Sequence, residues 1–319
     1  MPPQQVADAA INGFDNASAY DAHRPSYPAP AVQALLHNLE LVKKPNAKIV
    51  DLAGGTGKFT ELLAAREEHF EIVAVEPLAR MRQSLVDKRL ENVEAMDGLA
   101  TRMNLDDGWA DAVVAAQVRF TPLQSVYRTG ADEYAPQSFH WFANDEALRE
   151  IRRVLRPGGH FGFVWNIEDC TSPRATPSPG LFLGRSTDHG ADNQPAAWAA
   201  STAWEGKLKH LIMTLPPDGT HRFRDDTWRD VFERQARDPA PLFTTPVGRD
   251  KIPFTVWLTK ELLWERIQTL SQVAVLRDAD RDAFRASFDG IMSEGDQVWN
   301  DKGEVEFHGF TVYGWTSRL

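Results

Sequence analysis

Ala47-Lys48-Ile49-Val50-Asp51-Leu52 runs directly into Ala53-Gly54-Gly55-Thr56-Gly57, and helical spacing of Phe59, Leu62, Leu63 and Phe70 follows at once. A short apolar run that stops at a glycine cluster reads as strand, tight turn and helix. The same pattern repeats outward from this point. Ile72-Val73-Ala74-Val75 ends at Glu76-Pro77, with Pro77 suited to opening the next helix. That helix is expected to carry Leu78, Met81, Leu85 and Val86 inward. A weaker strand, Val93-Glu94-Ala95-Met96, ends at Asp97-Gly98, and Asp111-Ala112-Val113-Val114-Ala115-Ala116 reads as the next. A helix is predicted from Asn144 to Leu155, with Asn144 as its N-cap. Arg156-Pro157-Gly158-Gly159 then reads as a turn and Phe161-Gly162-Phe163-Val164-Trp165 as a fifth strand. Nearly continuous apolar strands alternating with helices predict a parallel sheet covered on both faces.

The C-terminal third has a different rhythm. Trp198 to Leu215 and Thr227 to Arg237 have helical spacing, Phe254 to Leu258 reads as a strand, and Thr259-Lys260-Glu261 fits a helix start. Two further helices are expected up to about Met292. Glu304 to Trp315 alternates around Val305, Phe307, Phe310, Val312 and Trp315, as a late strand would. These elements are expected to complete the sheet and to cover one end of it. No internal repeat is apparent.

Composition narrows the function classes. The chain has 319 residues, 42% hydrophobic and 25% charged, an ordinary globular balance with ample material for a core. Its 45 acidic against 35 basic residues give a net charge of −10, which disfavours nucleic-acid and anionic-membrane partners. One cysteine, Cys170, excludes an internal disulfide framework, a Cys-rich metal site and thiol-relay chemistry. No apolar run approaches the ~20 residues that span a bilayer. The start, Met1-Pro2-Pro3-Gln4-Gln5, lacks the basic and apolar regions of a signal peptide, so a cytoplasmic location is expected.

A glycine turn between strand and helix lets backbone N–H groups approach a ligand closely. A Walker loop needs glycine where Leu52 stands and Ser or Thr where Phe59 stands, so that reading fails. A dinucleotide loop needs a third glycine after Gly55-Thr56-Gly57, which is missing. Asp51, Gly55, Gly57 and Glu76 supply instead Asp-x-x-x-Gly-x-Gly, with an acidic residue at the end of the second strand. This arrangement resembles the class I S-adenosylmethionine-dependent methyltransferases. The resemblance implies an α/β, Rossmann-like fold: a mostly parallel seven-stranded sheet with helices on both faces. It also implies that the Gly55–Gly57 loop passes the methionine part of S-adenosylmethionine and that Glu76 binds the ribose hydroxyls. A carboxylate can accept two hydroxyl hydrogen bonds at that place. The competing readings are a turn or capping carboxylate for Asp51 and a strand-end structural role for Glu76. Asp97-Gly98-Leu99-Ala100 falls where the family contacts adenine. Leu99 stands where many members have an acidic residue, leaving Asp97, or the backbone of Leu99 and Ala100, for that contact.

Further motifs resemble a fungal small-molecule subgroup of the methyltransferase type 11 family, near the trans-aconitate and cantharidin-type methyltransferases. They are Tyr20-Asp21-Ala22-His23-Arg24-Pro25-Ser26-Tyr27-Pro28, Phe139-His140-Trp141-Phe142, Leu155 to Gly159, and Trp165 to Asp169. By that resemblance Tyr20 and Arg24 close over the cofactor, and Gln117 joins its contacts at the end of the fourth strand. Arg24 as a solvated charge is the alternative. Methyl transfer is an in-line displacement that needs an aimed, desolvated nucleophile, without metal or covalent intermediate. Trp141, Phe142 and Trp165 suit a pocket for a cationic sulfonium, against the alternative of core packing. His140 is the expected general base, unless it only holds its loop. Glu168 is the expected contact to a substrate amine or hydroxyl, with backbone capping as the alternative for Glu168 and Asp169.

Two stretches interrupt the pattern. Joining Ala116-Gln117 to Ser138-Phe139 would restore the family's strand-to-loop run, and residues 118–137 between them have neither periodicity. Valine codons begin GT and glutamine can be CAG, so Val118 to Gln137 reads as a translated intron, with Ala131-Asp132 able to encode a branch-type sequence. Residues 176–196, rich in Pro and Gly, are a second such stretch. Lid loops over the substrate are the rival reading, and transcript sequencing separates the two. The expected organisation is a single domain over residues 1–319. It comprises a cofactor-covering segment (1–46), a cofactor-binding core (47–170) and a helical cover with closing strands (171–319). The expected activity is methylation of a small organic carboxylate, hydroxyl or amine by a monomer or homodimer, without nucleic-acid or membrane partners. A catalytically silent cofactor-binding regulator and a nicotinamide-dependent oxidoreductase are the alternatives.

Overall fold

The glycine-terminated apolar runs become strands. Lys48–Leu52 forms β1 and Glu71–Val75 β2, with Lys58–Ala64 (α2) between them. The computed structural model describes residues 26–116, 143–172, 200–216 and 227–319. Tyr20, Arg24, Gln117, His140, Trp141, Phe142 and both interrupting stretches lie outside the described residues. Before β1 comes α1 (Ala29–Asn38); after β2 come α3 (Ala79–Asp87), β3 (Val93–Met96) and β4 (Ala110–Ala116). Asp145–Val154 forms α4 and Leu155–Glu168 β5, followed by α5 (Ala203–Thr214) and α6 (Asp230–Gln235). The chain continues through β6 (Gly248–Thr259), α7 (Lys260–Gln268), α8 (Ser271–Ala274), α9 (Asp278–Ser293) and β7 (Glu304–Ser317).

The strands form one seven-stranded sheet in the order β3-β2-β1-β4-β5-β7-β6. Pairings from β3 to β5 are parallel; β7 runs antiparallel to both β5 and β6. The sheet is therefore mostly parallel with an antiparallel edge, as the resemblance implied. On one face Val50, Val113, Phe161, Phe163 and Trp165 pack beneath α4 and α6; on the other Ile49, Ile72 and Val114 pack beneath α1 and α2. Burial on both faces explains why these strands are continuous apolar runs rather than alternating ones. A third apolar cluster lies beyond the sheet's end, where Val305 and Phe307 of β7 meet Trp204, Leu263 and Phe288 of the C-terminal helices.

Two helices open on side-chain caps where the sequence predicts their starts. Asn144 Oδ1 accepts the Ala147 N–H at 2.9 Å, opening α4, and Thr259 Oγ1 accepts the Leu262 N–H at 3.2 Å, opening α7. Several readings change. Pro77 stands before the cap rather than opening a helix, since α3 begins after Leu78. Val86 is 50% exposed, on the outer side of α3, while Met81 and Leu85 are buried. Phe70 is buried but lies outside α2, on the entry to β2. The turn at Arg156–Gly159 lies inside the span of β5. Leu155 pairs with Ala110 and His160 with Ala112, so the intervening residues bulge out of register, with Gly158 at φ +70°.

Candidate functional site

The strand order reverses between β1 and β4, because the chain crosses from β1 to β2 and β3 on one side and later returns to β4 and β5 on the other. Loops leaving the C-terminal ends of β1 and β4 therefore diverge and open a crevice, where open α/β sheets bind ligands. Asp51, Gly55 and Gly57 at the end of β1 and Glu76 at the end of β2 meet there.

Glu76 is fully buried and organises the turn. Its Oε2 accepts the Gly55 N–H at 3.0 Å and its Oε1 the Leu78 N–H at 2.9 Å. Two of the roughly four acceptor positions of the carboxylate are thus used, leaving two for hydroxyl donors. Burial pushes this carboxyl up to about 7, against the two backbone hydrogen bonds that favour the charge. Asp51 is also fully buried, and its Oδ2 accepts the Thr60 hydroxyl at 2.6 Å. Its Oδ1 has no hydrogen-bond partner among the described residues, and burial pushes the carboxyl up to about 7. A buried carboxylate oxygen left over in a ligand crevice is an acceptor waiting for a donor.

The turn has this shape because of Gly57. Its φ is +85° at the N-cap of α2, and a Cβ there would run into Leu85 of α3. Only glycine satisfies the backbone and the contact together. Asp97, at the end of β3, has a side chain 70% exposed and pairs with Arg82 at 2.9 Å. Arg82 Nη1 also donates to the Glu76 carbonyl at 2.6 Å, tying the ends of β2 and β3 together. Leu99 forms a small bridge with Arg102, each N–H donating to the other's carbonyl at 2.9 Å. Ala100 is buried in the apolar cluster with Met103.

The expected substrate side is arranged differently from the cofactor side. Trp165 is fully buried among Phe163 and Trp228, with ring centroids 5.1 and 5.0 Å away, so its ring belongs to the core. Glu168 Oε1 accepts from Arg266 Nε at 2.9 Å and Nη2 at 2.6 Å, a buried ion pair joining the end of β5 to α7. Asp169 is fully buried, its Oδ2 accepting the Ser201 N–H at 2.6 Å and hydroxyl at 2.5 Å. Arg82, Arg266 and the Glu205–His308 pair were missed by sequence reasoning. Arg266 and Glu168 are 98 residues apart and Glu205 and His308 are 103 apart, while Arg82 reaches strand ends 6 and 15 residues away, and no spacing rule connects any of these pairs. Among the described residues, no helix is long and apolar enough to cross a membrane.

No protein-family model matches the chain. An uncharacterized methyltransferase-like protein of Schizosaccharomyces pombe is 36% identical over 154 residues, 48% of this chain and 51% of that protein. An uncharacterized methyltransferase of Mycobacterium bovis is 34% identical over 164 residues, 51% of this chain and 55% of that protein. The chain thus spans about half the length of the curated relatives it matches. Among solved structures, a putative methyltransferase from an antibiotic biosynthesis pathway of Anabaena variabilis superposes loosely. Its TM-score is 0.47 at 17% identity, covering 91% of this chain and 97% of that one.

Proposed function

We propose that the chain is an S-adenosylmethionine-dependent methyltransferase acting on a small organic acceptor. The observation that carries this reading is Glu76: a buried strand-end carboxylate, held by Gly55 and Leu78 N–H groups, with acceptor positions that these two bonds do not use. The residues present suit such a cofactor. Glu76 would take the ribose hydroxyls, the Gly55–Gly57 turn admits backbone close to the methionine part, and the spare Oδ1 of Asp51 suits an ammonium donor. When bound, S-adenosylmethionine supplies a sulfonium methyl group as the electrophile. The relatives named methyltransferases support the same reading over the half of their length that this chain matches.

The chain's own residues contribute binding and aim rather than covalent chemistry. Two carboxyls whose charge is opposed by burial become favourable partners once a cation and hydroxyl donors enter, so ligand binding and their ionisation reinforce each other. A monomer or homodimer with carboxylate, hydroxyl or amine acceptors belongs to this proposal. Calorimetric titration with S-adenosylmethionine and, separately, NADH tests it. Saturable binding of the former alone is expected. Binding of NADH alone would replace the reading with an oxidoreductase.

A further inference from the structure

β6 is the last strand in the order β3-β2-β1-β4-β5-β7-β6, so among the described residues one of its edges is open. Which main-chain groups lie on that edge follows from β7. Val305 is paired with Leu258 of β6 on one side and bridged by Trp299 on the other. The N–H groups of Glu306 and His308 donate to Val298 and Glu205, away from β6. Even-numbered residues of β7 thus face away from β6, and odd-numbered ones bond to it. The partners of those odd residues are Ile252, Phe254, Val256 and Leu258. Alternation leaves Lys251, Pro253, Thr255 and Trp257 with their N–H and C=O positions on the open edge.

Local chemistry agrees with this assignment. Pro253 has no N–H to give and sits at an outward position, so the β6–β7 ladder loses nothing to it. The Lys251 N–H is taken by its neighbour, the Asp250 carboxylate, at 2.8 Å. Within residues 253–258 the outward donors are Thr255 and Trp257, and neither N–H has a hydrogen-bond partner among the described residues. The side chains of Pro253, Thr255 and Trp257 share one face of the sheet, and all three are exposed, Trp257 by 40%. On the other face Phe254 is buried, and Val256 and Leu258 pack against the C-terminal apolar cluster. An exposed indole beside unpaired main-chain groups is what a pairing strand covers.

A second copy of the same strand fits this edge. A two-fold axis normal to the sheet keeps each face continuous, so residues standing opposite each other share a face. With the axis at Thr255, antiparallel pairing sets Thr255 against Thr255 of the second copy, Pro253 against Trp257, and Phe254 against Val256. The two Thr255 residues then exchange a pair of N–H···O=C bonds. Each Trp257 N–H meets a Pro253 carbonyl, and each exposed indole lies against a pyrrolidine ring. No like charges stand opposite, since Lys251 meets Thr259. With the axis at Phe254 or Val256, Trp257 would face Lys251 or Thr255, and the two exposed apolar side chains would not stand opposite each other.

We propose that the chain is a homodimer whose two sheets join edge to edge through Pro253–Trp257 of β6, with Thr255 on the two-fold axis. Pro253 and the capped Lys251 N–H deny a foreign strand the longer ladder, so they confine pairing to this short, self-complementary register. The edge lies three strands from β4, so the dimer is independent of what the crevice binds.

Sedimentation of the full chain tests this. A short edge pairing is at the small end of interface sizes, so dimerisation is expected within about 1–100 μM. Thr255→Pro removes the axial N–H without touching the β6–β7 ladder, because that group points outward. It should weaken the dimer at least about tenfold, as loss of two hydrogen bonds implies, with the urea transition of the protomer retained. Thr255→Cys gives a second, independent measurement. The chain's single cysteine, Cys170, is buried, so the new thiol is the accessible one. Hydrogen-bonded antiparallel pairs stand about 5.5 Å apart at Cα, within disulfide reach. Mild oxidation should therefore link Thr255→Cys into a covalent dimer, while Lys251→Cys, opposite Thr259, should stay unlinked. A monomer throughout that concentration range overturns the proposal, as does a dimer that Thr255→Pro leaves unweakened or that Thr255→Cys fails to link. A monomer that binds an unrelated extended peptide along β6 also overturns it, since the edge would then serve a foreign strand.

Discussion

Replacing Asp51 with Asn should make the ligand-free protein more stable and less able to bind. Asp51 is fully buried with one oxygen unpartnered among the described residues, and burial moves its carboxyl from 3.8 up to about 7. The folded chain then holds a proton that the unfolded chain has released, everywhere between those two values. Stability therefore falls as pH rises through that window and is level on either side. At about 1.4 kcal/mol for each tenfold change in proton affinity, the loss is about 4 kcal/mol at most. Asparagine keeps an oxygen for Thr60 and removes the charge, but still buries a polar amide, so a gain of about 1–3 kcal/mol is expected at about pH 8. At about pH 4 the gain should vanish, because the wild-type carboxyl is then neutral. Urea unfolding of ligand-free wild type and Asp51→Asn, followed by tryptophan fluorescence at both pH values, measures this. Equal gains at the two pH values, or none at the higher one, would refute the reasoning. Affinity for S-adenosylmethionine should fall at least about tenfold in the same variant, as loss of one charged hydrogen bond implies.

Three further outcomes are expected. Gly57→Ala should cost about 2–4 kcal/mol in urea unfolding, from a left-handed backbone and a Cβ driven into Leu85. Arg266→Met should cost about 3–5 kcal/mol by the same measure, because it strips the buried Glu168 carboxylate of its guanidinium. Asn144→Ala should cost about 1 kcal/mol, the usual value of an N-cap, with the transition midpoint lowered and its slope unchanged.

The parallel half of the fold was legible because its signals are local. β1, β2 and β3 run into a glycine or an acidic residue, α4 begins at the Asn144 cap, and the Asp51–Gly57 turn lies within one stretch of chain. The antiparallel half was legible as elements but not as an arrangement. Nothing near Glu304–Ser317 says that this strand inserts between β5 and β6, since the choice is made by burial of Phe163, Trp165 and Val312 together. Glu168 and Arg266 are 98 residues apart, and Glu205 and His308 are 103 apart, so neither pair has a spacing to read. Trp165 shows the limit from the other direction. An aromatic at a strand end fits both a pocket and a core, and only the packing against Trp228 distinguishes them.

The placement of β7 has a consequence for assembly. Until Glu304–Ser317 docks, β5 is an open edge carrying Phe161, Phe163 and Trp165, and β6 lacks the strand that, among the described residues, makes its ladder. His160 meets Ser317 across 157 residues, nearly half of the chain, so closing the sheet is a late, long-range event with a high entropic threshold. In that interval the nascent molecule presents the kind of flat apolar edge that recruits strands from other chains. Dilute refolding or a chaperone that shields such edges should therefore govern the yield of native protein more than any single contact in the finished core.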